Sequence, residues 1–376
     1  MDTTEWSARA DEWVAAEGPA ALVCRQWLVP VEGPDGVVFP PTFAGETGGR
    51  SRYNIDTLRD GTKVALIDSV GSQANRMEPL FKEGRYARLV PQIRIRAGEH
   101  ILHLLDAGHR AADAIVRYST LGPELTEAFR DIEKGGDARR LAQIAPTSLV
   151  FGVWDSRDTE VKLPRLLAST IRAWDVEELT RSAQYNPPIR YADEGLIDAA
   201  EDAKVRDVLS QLGFRDAPAA GTPGGVRIRG EIRRETILSF VGLRALGPAG
   251  KEGDPLRRYV LALALVAMMH DRPHHLRQGC LLVRDGKRAD EWNAVHGDGT
   301  RNTVSLEMRR DGENILEFAT ESARAFGVDV SRDLEADPIY DFDRAVANAA
   351  IEKRGERPKK NASQKAERRP RGANTN

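Results

Sequence analysis

Residues 63–79, KVALIDSVGSQANRMEP, constrain this chain more than any other stretch. The run at 63–68 is short, apolar and rich in Val, Leu and Ile. The turn residues Asp60 and Gly61 introduce it, so it reads as a strand. It stops at Asp68 and Ser69, passes Gly71 and Ser72, and continues through Gln73, Ala74, Asn75, Arg76, Met77 and Glu78 to Pro79. Ser72 has the chemistry of a helix N-cap, and the spacing predicts a short helix from there. A strand therefore feeds a helix through a loop dense in amides and hydroxyls, with Arg76 close behind.

A second polar and cationic group lies upstream: Thr47, Gly48, Gly49, Arg50, Ser51, Arg52, Tyr53 and Asn54. Gly48 and Gly49 let a backbone approach a ligand closely. Arg50, Arg52 and Arg76 can each fork onto phosphate. Tyr53 offers a stacking face, and Asn54, Gln73 and Asn75 carry both donors and acceptors suited to base edges or sugar hydroxyls. The same residues equally fit an N-capped surface turn beside a solvated arginine cluster.

With 376 residues the chain can bury a sizeable core in one large or two ordinary domains. The 30% charged and 41% apolar composition is that of a soluble globular protein. A net charge of −2 is not that of a generic nucleic-acid binder, but a local basic stripe is what a polyanion feels. Two distant cysteines, Cys24 and Cys280, make neither a metal finger nor a disulfide framework, which fits a cytoplasmic location. The acidic N-terminus has no signal-peptide core, and the longest apolar run, 259–269, is too short to span a bilayer, so no membrane is expected.

Along the chain, Trp6, Ala10, Trp13 and Val14 fall at helical spacing. Residues 20–31 form a first core strand, and 37–43 a returning strand broken by two prolines. Residues 88–97 (RLVPQIRIRA) alternate Ile93 and Ile95 with Arg94 and Arg96, one face apolar and one cationic. Helices are expected at 106–118, 122–134 and 137–144, a buried strand at 148–154, and a strand at 166–176. Residues 181–191 (RSAQYNPPIRY) read as an exposed hairpin or loop, and 198–212 as a helix. Residues 216–225 (DAPAAGTPGG) read as a flexible linker. A second strand with a cationic face is expected at 226–234, carrying Arg227 and Arg229, with strand continuing over 236–246. If the two cationic strands lie side by side, they form the stripe that the net charge hides. A buried helix spans 255–270, capped near Asp254 with Pro255 at its first position. Strands are expected at 279–284 and 305–309 and a helix at 314–326. From about residue 351 a basic tail lacks apolar residues and should be disordered. Helices are few for the number of strands and no strict βα alternation exists, so the class is α+β.

The runs SRYNIDTLRDGTKVALIDSVGSQANRMEPLF (51–81), FPPTFAG (39–45) and ASTIRAWDV (168–176) resemble the RAMP-superfamily backbone subunit of type I-G (formerly I-U) CRISPR effector complexes. The resemblance covers about residues 20–330, and 68–79 is its most specific piece. It implies a ferredoxin-like, RRM-like antiparallel sheet with helical insertions and a projecting hairpin. It divides the chain into a helical extension (1–19), a RAMP-type RNA-binding domain (20–350) and a disordered basic tail (351–376). It also implies a non-enzymatic subunit that binds crRNA, forms a filament with other copies of itself, joins other Cascade subunits and presents the guide to target DNA. No cofactor and no metal is implied. Within it, Arg50, Arg52, Asn75 and Arg76 are the first candidates for RNA backbone contacts. Arg172, Arg227 and Arg229 are second choices, and the 181–191 segment is a candidate projection toward the next subunit. No RNP-type aromatic motif stands out, which favours grip on the RNA backbone over base stacking.

The competing reading is a nuclease. His270, Asp271, His274 and His275 could hold a metal and activate water. Such a site needs further His and Asp ligands, and His100, His103, His109 and His296 are the only other histidines. Pro273 also breaks the helix between the candidates, and histidines facing a helix C-terminus are the ordinary account of the cluster. Some type III RAMP subunits cut RNA with a loop aspartate, and Asp68 is the residue to nominate. The type I resemblance implies instead that Asp68 is structural. Walker-type and nucleophile-elbow motifs are absent from the sequence.

Overall fold

β1 (Ala21–Pro30) is the strand on which the main sheet is built. In this computed structural model, which describes residues 3–44, 52–199, 202–248, 254–270 and 274–355, its burial alternates without a break. Leu22, Cys24, Gln26 and Leu28 face inward; Val23, Arg25, Trp27 and Val29 face the other way. That period of two is what an antiparallel sheet covered on one side requires. One edge of β1 pairs with β14 (Ile232–Ser239), running from Ala21 opposite Ser239 to Leu28 opposite Ile232. Its other edge meets β17 (Glu291–Val295) over residues 21–25 and β16 (Cys280–Arg284) over 28–30. β11 (Leu167–Trp174) pairs with β14, β6 (Lys63–Asp68) with β11, and β5 (Ile55–Thr57) with β6. β15 (His274–Arg277) joins β16, and β18 (Arg301–Thr303) joins β17. All these pairs are antiparallel, and the order is β15-β16-β1-β14-β11-β6-β5.

Helices cover one half of the inner face. α1 (Thr3–Val14) inserts Trp6 and Trp13, and Trp13 stacks on Phe240 with centroids 5.0 Å apart. Between β6 and β11 come α2 (Val70–Met77), α3 (Ala114–Arg117), α4 (Gly122–Gly135), α5 (Arg139–Ile144) and α6 (Pro146–Phe151). α8 (Phe240–Arg244) and α9 (Asp254–Met269) follow β14; α10 (Met308–Phe326) and α11 (Arg344–Gly355) complete the set. α9 is apolar nearly all round because it is buried nearly all round, and Tyr259 Oη donates to the Leu89 carbonyl at 2.7 Å. The other half of the inner face forms a second apolar cluster from Leu28, Ile67, Ile171 and Ile232. It is closed by Val38 of β2 (Val37–Val38) and Val226 of β13 (Ala217–Ile228). This is the α+β arrangement that the pattern predicts.

Smaller pieces flank the sheet. β3 (Thr42–Phe43) pairs with β4 (Arg52–Tyr53), and β9 (Val153–Trp154) with β10 (Lys162–Leu163). β7 (Arg94–Ala97) lies between β8 (His100–His103) and the parallel β19 (Ile339–Asp341). β12 (Val176–Tyr185) and β13 form a long hairpin that carries α7 (Ala203–Gln211) between its arms. β12 is exposed beyond its first residue except at half-buried Leu179, and α7 buries none of its residues.

Several expectations are corrected. The helix after β6 is capped by Ser69, whose Oγ accepts the Ser72 N–H at 3.2 Å; Ser72 turns its hydroxyl to Asp68 instead. Residues 148–154 are mostly helical, because Pro146 starts α6 and Gly152 ends it; a short apolar run does not reveal its period. Residues 106–118 form short helical turns and α3 rather than one helix. The expected linker at 216–225 is strand: it pairs with β12, and its glycines permit close packing. A Cβ on Gly225, at φ +100°, would lie 2.4 Å from Val37 Cγ1. The expected strand at 226–234 is two strands joined at Gly230, where a Cβ would lie 2.7 Å from the Trp174 carbonyl oxygen. β14 stops at Ser239, whose side chain caps α8, and 308 onward is already α10. The two arginine-bearing strands do not lie side by side: β7 and β13 belong to different sheets. The basic tail beyond residue 355 lies outside the described residues.

Candidate nucleic-acid interface

Asp68 ends β6 with its side chain fully buried. Its Oδ1 accepts from Ser72 Oγ at 2.8 Å and Arg277 Nη2 at 3.2 Å. Its Oδ2 accepts from Gln73 Nε2 at 2.7 Å and Arg76 Nε at 3.1 Å. α2 crosses β11, so Gln73 Oε1 also receives Ser169 Oγ and Arg234 Nε, each at 3.1 Å. Arg234 Nη1 donates to Gln26 Oε1 at 2.8 Å, and Gln26 Nε2 reaches Asp290 Oδ2 at 3.1 Å. A belt of matched polar groups thus crosses the inner face of the sheet between the two apolar clusters. Each buried charge has an opposite charge or a dipole in contact, which offsets its desolvation.

Gln73 and Arg76 lie in this belt, with Asn75 exposed beside them on α2. Arg76 is half-buried and also donates to the Leu276 carbonyl at 2.7 Å. Arg52 and Asn54 are exposed at and after β4. Tyr53 is 6% exposed; its ring packs in the second cluster and its hydroxyl accepts the Gly225 N–H at 2.8 Å, so the ring face expected for stacking is turned inward. Arg227 is half-buried on β13, and Arg229 pairs with Glu177 at 3.0 Å in the turn that follows. Arg50 lies outside the described residues.

The outer face of the sheet holds Arg172, one of the second choices, beside residues that the sequence reasoning missed. Trp27, Arg233, Arg172 and Leu66 are successive partners across β1, β14, β11 and β6, forming one cross-sheet row. The Arg233 guanidinium sits 3.9 Å from the Trp174 ring centroid, and Arg25 pairs with Glu235 at 3.1 Å. Trp27 Nε1 donates to Glu231 at 2.8 Å. The signal was available: strict alternation in residues 21–30 and 167–174 puts each tryptophan on the same face as an arginine.

A cavity of about 260 Å³ opens beside the polar belt, lined by Arg76, Arg234, His270, His274 and His275. Tyr86 meets the His270 ring edge-on at 5.4 Å. Asp271 of the candidate metal set lies outside the described residues. Among the described residues, no group of three or more His, Cys, Asp or Glu is placed to hold a metal ion. Burial pushes the Cys280 thiol up to about 11 against the opposing pull of Arg277, so it is a protonated core group at neutral pH. No helix among the described residues is long and apolar enough to cross a membrane.

Fold and site together describe an α+β protein with one open sheet face and a buried ionic belt. Residues 22–178, from β1 to the start of β12, match the model of the family described as CRISPR-associated protein GSU0053. No curated protein sequence matches the chain. A solved chain of a "CRISPR RNA-guided surveillance complex, pre-nicking" is similar at 10% identity, with 88% of this chain and 99% of that chain covered and a TM-score of 0.31.

Proposed function

We propose that this protein is a non-enzymatic crRNA-binding backbone subunit of a type I-G CRISPR interference complex. Copies of it line up along the guide RNA, join other Cascade subunits in the cytoplasm, and present the guide for pairing with target DNA. The observation that carries this reading is the match of residues 22–178 to a CRISPR-associated family. The topology supports it. Strands β16 and β17, β1, β14 and β11 are neighbours in that order, with helices between β1 and β11 and between β14 and β16. That order supports the reading of a ferredoxin-like core of the RAMP kind. The β12–β13 hairpin is long and exposed enough to reach a neighbouring copy. Asp68 supports a non-catalytic role, since both its oxygens are already held by four donors.

The test is purification after co-expression with a matching CRISPR array. A discrete guide-length RNA co-eluting with a large oligomer is expected, and retention should weaken with salt in Arg172→Ala, which removes an outer-face cation. RNA-free monomer, or divalent-metal-dependent cleavage of added RNA, would overturn the reading.

A further inference from the structure

A second pocket, of about 360 Å³, shares no lining residue with the cavity beside the polar belt. Its walls include Arg110, Gly152, Trp154, Arg157, Lys162 and Arg165. Three features set it apart. First, its cations exceed its anions. Among the described residues neither Arg165 nor Lys162 has a carboxylate partner, while nearby Asp155 and Asp158 turn to Arg117. Glu78 is spent on Arg110 Nε at 2.7 Å. Burial and the neighbouring Arg110 cation both push the Arg165 guanidinium below its ordinary value. Second, Arg110 is 5% exposed, yet its Nη2 has no hydrogen-bond partner. Arg110 also sits at φ +53°, a backbone conformation that costs energy for a residue with a Cβ. Third, Trp154 is 57% exposed, with Lys162 Nζ 5.3 Å from its ring centroid on the adjoining strand. Gly152 makes the assembly possible: at φ +81°, a Cβ there would lie 2.9 Å from Arg165 Cγ.

Arg165 and Lys162, two cations without a carboxylate partner among the described residues, beside an exposed indole match one ligand chemistry, a phosphodiester with an adjoining base. We propose that this pocket is a single-stranded nucleic-acid site, in which Arg165 and Lys162 hold a backbone phosphate and Trp154 stacks on the neighbouring base. A bound phosphate relieves the Arg110–Arg165 repulsion. The identity of the polymer rests on the reading above, and either the guide RNA or a DNA strand supplies the chemistry.

The experiment is fluorescence anisotropy on the full-length protein, stripped of bound RNA at high salt, with labelled RNA and DNA single strands of about 12 nucleotides, a length within known site sizes. Arg165→Ala and Trp154→Ala are each expected to weaken binding of one polymer about tenfold without lowering the melting temperature. Loss confined to RNA assigns the site to the guide, and loss confined to DNA to a DNA strand. Trp154→Phe keeps a ring and should retain binding; a loss equal to that of Trp154→Ala overturns the stacking role. Unchanged affinity for both polymers in both alanine variants overturns the pocket while leaving the crRNA reading intact. A wild-type protein that binds neither polymer overturns both.

Discussion

Two arginine-rich regions lie within one chain and differ in a single respect. Around Asp68, the guanidinium groups of Arg76, Arg234 and Arg277 are matched by a carboxylate, amide oxygens and hydroxyls. Around Arg165, Glu78 answers Arg110, but Arg165 and Lys162 have no carboxylate partner among the described residues and line an open pocket. Counting arginines does not separate the two. What separates them is whether each charge has already been answered inside the fold. The first region holds the sheet to its helices; the second has capacity left for a ligand.

The comparison breaks most readily at Asp68. Asp68→Ala leaves Arg76 and Arg277 facing a buried void, and the expected loss is about 3–5 kcal/mol in chemical denaturation. An unchanged midpoint would mean that the belt is not structural. Gln73→Ala should cost about 1–3 kcal/mol, because an Asp68 oxygen and Arg234 Nε both lose a partner. Arg165→Ala supplies the contrast: its stability should stay within about 0.5 kcal/mol of the wild type, since the exposed side chain has no carboxylate partner to lose among the described residues. The smallest effect concerns His103. Its Nδ1 accepts the Leu105 N–H at 3.1 Å and its Nε2 faces Gln92 Oε1 at 3.0 Å, an arrangement that needs a neutral ring. Burial holds its pKa below the ordinary histidine value. The unfolded chain then takes up the proton first, so stability is complete above about pH 6.5 and declines below it until the folded ring also protonates. Thermal melts on the two sides of that pH should show a shallow loss in the wild type that His103→Gln reduces.

Much of the fold was legible where one physical signal dominates. The unbroken alternation of residues 21–30 and the apolar run after Asp254 each allow one answer. The sequence misled where tertiary packing decides. The glycines at 224 and 225 look like linker composition, yet they sit in strand because the neighbouring strands approach too closely for a side chain. Arg94 and Arg227 alternate with apolar residues in the same way, but nothing local says that their strands join different sheets. At the candidate site, α2 was legible as a cluster of polar groups, though not their direction. Gln73 and Arg76 look like ligands for something outside the fold until β11, β14 and β15 bring Ser169, Arg234 and the Leu276 carbonyl to them. Trp154 and Arg165 carried no motif at all. A two-residue ladder sets Lys162 beside Trp154, and the absence of a Cβ at Gly152 lets Arg165 in close.

The position of β1 has a consequence for how the chain is made. It is made long before its partners: its neighbours begin only at Ile232 and end at Val295. More than two hundred residues must be added before either edge is closed. At roughly 5–20 residues per second, that leaves the central strand waiting on the order of 10–40 s with both ladders open. Such non-local pairing slows folding and exposes a strand that invites the wrong partner. Newly synthesised chains should therefore depend on temperature and chaperone supply far more than the finished protein does.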